Sequence, residues 1–149
     1  MDIVGELVRT REETMKCFSL PEPDLSRSYG HNKWTIRQLL VHLADAETVL
    51  LYRVKKVLAE GEQVVWAFDQ DKWNTALHYN TYPLDLARNL YLAQRDTAIY
   101  LAEKFYAVSG NYHFVHSETG LRTLRDEIEK IATHNQHHLD QMAIALLHP

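Results

Sequence analysis

The sequence predicts an all-α fold: a four-helix bundle in up-down-down-up order with a long crossover between helices 2 and 3. Apolar residues repeat at helical spacing over four long segments. Residues 62–82 separate the second segment from the third, whereas helix connections in bundles usually have about 2 to 8 residues. Such a length permits helices 2 and 3 to run parallel. At 149 residues, we expect residues 1–149 to form a single domain.

The first two helices have recognisable ends. Helix 1 is predicted from about Asp2 to Cys17, because the prolines and the glycine of the following SLPEPDLSRSYGHNK cannot continue it, and this stretch predicts a loop. Helix 2 is predicted to begin after Thr35, which forms a capping box with Gln38. Gly61 predicts its end.

The last two helices are delimited in the same way. Pro83 is a good first-turn residue, and helix 3 is predicted to run to about Val108, where Ser109 and Gly110 close it. Thr123 is a suitable cap for helix 4, whose apolar face continues to about Leu147.

Charge and composition exclude several classes of protein. The formal net charge is -4 and the basic residues are scattered, so we expect no nucleic-acid partner. Cys17 is the only cysteine, which rules out an intramolecular disulfide and favours a buried apolar role for this side chain. No segment has the ~18 apolar residues of a membrane span and no secretory signal is visible, so a cytoplasmic protein without membrane partners is expected.

Three histidines are the candidate functional residues. His134 and His138 lie four residues apart in IATHNQHHLDQM, so they lie about 40° apart on one helix face and roughly 6 Å apart along its axis. This is the geometry of a chelating pair. His42, in LLVHLADAE, is a candidate third ligand from helix 2. Three imidazoles leave coordination positions open, as in catalytic rather than structural zinc sites.

The levels of these histidines indicate how helices 2 and 4 are oriented. His42 lies about 10 Å from the start of its helix and His138 about 13 Å from the end of its own, at 1.5 Å per residue. The match modestly favours an antiparallel pair, because a parallel arrangement would also bring His134 near the level of His42.

Missing motifs narrow the chemistry. Asn135 follows His134, where a zincin metallopeptidase requires glutamate. Lys130 and Ile131 stand where a di-iron bundle would need carboxylates. A single mononuclear site is the remaining interpretation.

The segments HNKWTIRQLLVHLADAE and GLRTLRDEIEKIATHNQHHLDQM resemble the DinB-like (DinB/YfiT) superfamily. The resemblance extends from about Asp2 to Leu147. It implies an up-down-down-up bundle and a divalent metal held by His42, His134 and His138. It also implies a metal-dependent transferase or isomerase that uses a low-molecular-weight thiol, although many members have no known activity.

Several residues near these motifs have alternative interpretations. Asp45 could orient an imidazole, supply a fourth ligand, or be an ordinary acid in a salt bridge. His137 is expected to point away from the metal. His113 and His116 could lie in a hairpin arm or a second metal patch, but a solvent-facing loop is the favoured interpretation. Five aromatic residues of the crossover could wall a pocket over the metal or cap the bundle: Trp66, Phe68, Trp73, Tyr79 and Tyr82.

The functional hypothesis is therefore transfer of a small thiol to an electrophile at a three-histidine site. Zinc or nickel is expected first, with iron, manganese or cobalt as alternatives. The rival hypothesis is a non-catalytic, stress-related module in which the metal clamps helices 2 and 4. A homodimer is expected in either case.

Overall fold

The structure is a computed structural model and describes residues 1–148. Its elements, in chain order, are α1 (Ile3–Phe18), α2 (Glu22–Leu25), α3 (Ile36–Glu60), β1 (Val64–Val65), α4 (Gln70–Ala76), α5 (Leu84–Ser109), β2 (His113–His116), β3 (Gly120–Thr123) and α6 (Leu124–Leu147). The four predicted helices are α1, α3, α5 and α6. The short helix α2 lies in the predicted loop after α1, and the crossover contains β1 and α4.

The helix ends follow from the capping chemistry. Thr35 accepts the backbone N–H of Gln38, and the side chain of Gln38 accepts the N–H of Thr35. Thr123 forms the same reciprocal pair with Asp126 at the start of α6. Gly61 ends α3 at a φ of 78° and a ψ of −143°, a backbone region that is essentially limited to glycine.

Side-chain pairs between helices establish the predicted up-down-down-up order. Helices α3 and α6 are antiparallel, because His42 meets His134 near one end and Arg53 meets Glu127 near the other. Helices α1 and α5 are also antiparallel, since Arg11 bonds Asp96 while Phe18, further along α1, packs on Tyr91. Helices α3 and α5 run parallel: their N-terminal halves share one apolar cluster and their C-terminal halves the other. The fold prediction is confirmed.

A small three-stranded sheet covers the end of the bundle where α3 and α5 finish. Strand β1 pairs in parallel with β2, and β2 pairs antiparallel with β3. The favoured expectation of a solvent-facing loop around His113 and His116 is therefore wrong. These residues begin and end β2, whose alternating pattern buries Phe114 and His116.

A layer of polar side chains separates the two apolar clusters. We call Thr10, Thr14, Glu47, Arg95 and Asn135 the polar layer. Arg95 comes from α5 and is fully buried, and it donates to Glu47 on α3, to Thr10 on α1 and to Asn135 on α6. One guanidinium on α5 thus connects this helix to the other three long helices.

No helix within residues 1–148 is both long enough and apolar enough to cross a membrane.

Candidate metal centre

The structure brings the three predicted histidines together between α3 and α6. The Nε2 atom of His134 lies 3.1 Å from Nε2 of His42 and 3.1 Å from Nε2 of His138. His42 is fully buried, and only 6% of His138 is exposed. This is the one group of three or more potential ligands, His, Cys, Asp or Glu, found within residues 1–148.

This arrangement fits a divalent ion. Three Nε2 atoms around one tetrahedral ion at about 2.0–2.1 Å would lie about 3.3 Å apart, close to the two observed separations. Hydrogen bonding alone cannot satisfy the cluster, because each imidazole nitrogen either donates one proton or offers one lone pair. The Nε2 atom of His134 has two imidazole neighbours, and a cation would use the lone pairs of all three rings.

Burial keeps the imidazoles in the neutral form that binds metals. Desolvation, followed by the neighbouring His138, lowers the pKa of His42 to about 3. Desolvation, then His138 and His42, lowers the pKa of His134 to about 2. The pKa of His138 is also lowered, mainly by desolvation. No proton has to leave these rings at neutral pH before they coordinate.

Hydrogen bonds orient the cluster from one side. Nδ1 of His138 lies 2.7 Å from Oε1 of Gln141, so this ring donates its Nδ1 proton and turns Nε2 toward the other two histidines. The amide nitrogen of Gln141 in turn lies 3.2 Å from Nε2 of His137, which is exposed and stays outside the cluster as predicted. Nδ1 of His42 is buried without a hydrogen-bond partner.

Aromatic rings pack against His42. The ring of Trp34 meets the imidazole edge-on at 5.2 Å between centroids, and Phe68 stacks over it at 6.4 Å. Trp73 supports Phe68 at 5.0 Å. Two of the five crossover aromatics thus pack on or behind His42 without lining the cavity beside His138, while Trp66 is 75% exposed. Trp34 was missed in the sequence because it precedes the helix cap and has no periodic partner.

The remaining aromatics belong to a second contact. Tyr79 is fully buried and its hydroxyl donates to Asp45, while Tyr82 packs against its ring. Asp45 is outside the ligand group, which contains only the three histidines. Desolvation raises the pKa of Asp45, and the hydrogen bond from Tyr79 opposes this rise. Of the alternatives for Asp45, the structure shows a hydrogen bond with Tyr79 and a position outside the three-histidine group.

A cavity of about 230 Å³ opens beside His138. Trp34 and Leu39 supply apolar surface, and the rest of the lining is mostly polar: Tyr29, Asn32, Lys33, Gln70, Asp71, His137 and Gln141. Its volume suits a small molecule that reaches the exposed edge of the cluster.

Fold and site define a class of protein: a helical bundle with a buried three-histidine centre suited to a divalent metal. A profile of the DinB superfamily matches residues 6–142, and the chain belongs to this superfamily.

Relatives and a solved structure agree with this assignment. A protein of Oceanobacillus iheyensis, provisionally named a metal-dependent hydrolase, is 30% identical over 86% of this chain and 73% of its own length. A similarly named protein of Halalkalibacterium halodurans is 26% identical over 87% of this chain and 75% of its own length. YfiT from Bacillus subtilis, described as a probable metal-dependent hydrolase with an unusual four-helix bundle topology, superposes with a TM-score of 0.85 at 20% identity, covering 95% of this chain and 82% of its own.

Proposed function

We propose that this protein is a metal-dependent enzyme that transfers a low-molecular-weight thiol to an electrophile, with His42, His134 and His138 as the metal ligands. The observation that carries the proposal is the convergence of three neutral imidazoles, without a carboxylate in the ligand group, beside a cavity. Zinc or nickel is proposed first, and iron, manganese or cobalt are alternatives.

The ligand set favours thiol chemistry. A divalent ion held by three neutral imidazoles keeps its full charge and would lower the pKa of a coordinated thiol, so that the thiolate is present at neutral pH. Such activation requires no carboxylate base. The protein supplies orientation through the Gln141 contact with His138, and Trp34 and Phe68 exclude water from the buried side of His42.

Hydrolysis is the second candidate function, because the relatives named above carry hydrolase names. It would use water in place of the thiol as the nucleophile. A metal-dependent hydrolase usually adds a nearby carboxylate as general base. Asp71, in the cavity wall, is the acid to test for that role.

Cobalt-substituted protein separates these functions. The thiol proposal predicts a thiolate-to-cobalt charge-transfer band on addition of a small thiol, and a faster reaction of that thiol with an alkyl halide or epoxide. The hydrolase candidate predicts ester cleavage without thiol and its loss in Asp71→Asn. His138→Gln should abolish either activity, whereas His113→Gln, a matched change at an exposed histidine of β2, should not.

A purely structural metal would give neither the band nor any rate increase. In that result the rival proposal, a stress-related module with the metal clamping α3 to α6, would replace the enzymatic one. A homodimer and a cytoplasmic location stay predictions, and analytical ultracentrifugation tests the first.

A further inference from the structure

A second groove lies between the β2–β3 hairpin and the first half of α6. Its volume is about 370 Å³, larger than that of the cavity beside His138. Eight residues line it: His116, Thr119, Arg122, Asp126, Glu127, Glu129, Lys130 and Thr133.

The acids in this wall already have partners within the protein. Asp126 accepts the backbone N–H of the helix cap. Glu127 is buried and pairs with Arg53 at 3.2 Å. Glu129 accepts the hydroxyl of Tyr106. Arg53 offsets the charge of Glu127 and Arg122 that of Asp126, whereas the hydrogen bond from Tyr106 leaves Glu129 its negative charge.

Two donor side chains of the wall, His116 and Lys130, remain for a ligand, because Arg122 pairs with Asp126 at 4.0 Å. His116 is only 5% exposed, and its Nδ1 accepts the backbone N–H groups of Glu118 at 3.2 Å and Thr119 at 3.3 Å. Its proton therefore lies on Nε2, which makes no hydrogen bond within residues 1–148. Lys130, half-buried in the same wall, forms no salt bridge within the described chain.

Electrostatics keeps His116 a neutral donor. Desolvation lowers its pKa first, and the charges of Arg53 and Lys130 lower it further, against those of Glu127 and Glu118, which raise it. His116 and Lys130 line the same groove. An uncharged imidazole N–H and an ammonium group together form a site for one anionic group.

The position of Lys130 connects the groove to the metal centre. Lys130 precedes His134 by one turn of α6, which places the two residues roughly 6 Å apart along the axis and about 40° apart around it. An anion held by Lys130 would lie within the length of a small molecule from the three Nε2 atoms.

We infer that the groove binds a carboxylate of the substrate, through Nε2–H of His116 and the ammonium of Lys130. The substrate class is then a thiol with a carboxylate a few bonds from its sulfur. The sulfur end of this assignment rests on the proposed function, whereas the carboxylate site does not.

Two probe thiols of similar length test the assignment on the cobalt-loaded protein. We expect 3-mercaptopropionate to bind about tenfold more tightly than 2-mercaptoethanol, the loss typical of removing one charge-assisted contact. Lys130→Met should remove this preference without weakening the binding of 2-mercaptoethanol. Lys104→Met, a matched change at an exposed lysine of α5, should keep it. Equal binding of the two thiols to the unmodified protein would overturn the assignment.

A metal-free measurement separates this inference from the proposed function. Propionate, which has no thiol, should shift the amide NMR signals of Glu118 and Thr119, and the shifts should disappear in Lys130→Met. If propionate binds in this way and neither thiol gives a cobalt band, the anion site stands and thiol transfer fails. Absence of propionate shifts at tens of millimolar would refute the anion site.

Discussion

Replacing Arg95 by methionine should strongly destabilise the bundle. The guanidinium is fully buried and donates to Glu47, Thr10, Asn135 and the carbonyl of Leu7. The variant would leave the Glu47 carboxylate buried without its counter-charge. Breaking a buried pair from one side costs about 3–5 kcal/mol, a large part of the total stability of about 5–15 kcal/mol expected for a domain.

Removing both charges should recover much of this loss. The double variant Arg95→Met/Glu47→Leu leaves no buried charge in this pair, and we expect at least half of the lost stability to return. Urea unfolding of both single variants and the double variant gives the coupling energy directly. If Arg95→Met loses less than about 1 kcal/mol of unfolding free energy, the role assigned to Arg95 is refuted.

The pH dependence provides an independent signature. Desolvation raises the pKa of Glu47, while Arg95 opposes the rise. Without Arg95 the folded-state pKa should rise further above the unfolded value, so the folded state binds more protons. The variant should therefore regain stability relative to the unmodified protein as the pH falls from 7 to 5. An unchanged difference between the two proteins would contradict this reasoning.

Three further predictions concern the metal centre. Single changes to glutamine at His42, His134 or His138 should each abolish most metal retention by elemental analysis, and double variants should be scarcely worse, because the ligands act as one chelate; retained metal would remove that residue from the ligand set. The metal-free protein should lose stability as the pH falls below about 6.5, because the folded pKa values of His42, about 3, and His134, about 2, lie below the unfolded value and the unfolded chain binds more protons. At pH 5 this loss amounts to about 2 kcal/mol per histidine. The unfolding free energy of His42→Gln, measured in urea at several pH values, should therefore fall less steeply with decreasing pH than that of the unmodified protein. Metal at a hundred times its dissociation constant should stabilise the protein by about 2.7 kcal/mol, seen by calorimetry as a higher melting temperature, and an unchanged melting temperature would argue against selective binding to the folded state.

Local chemistry made the long helices and the histidine cluster predictable. The capping pairs at Thr35 and Thr123 and the stop at Gly61 are encoded within a few residues, and the structure confirms all three. The spacing of His134 and His138 requires only a helix. The length of the crossover permitted α3 and α5 to run parallel, and the resemblance to the DinB-like superfamily implied that they do.

Features that depend on distant partners were not predictable in the same way. Strand β1 has two residues and exists only because β2, about fifty residues later, pairs with it. Arg95 looks like an ordinary helix-surface residue in the sequence, and its burial follows from acceptors on three other helices. Gln141 could have been noticed, since it lies one turn after His137 and three residues after His138.

The ligands of the candidate centre are far apart in the chain, with His42 and His134 separated by 92 positions. Ribosomes add about 5–20 residues per second, so His134 is made roughly 5–20 seconds after His42. Until then the nascent chain contains only one of the three ligand imidazoles, and α6, which carries the other two, is not complete. Metal loading should therefore follow synthesis of α6, which makes metal uptake a late step in the maturation of this protein.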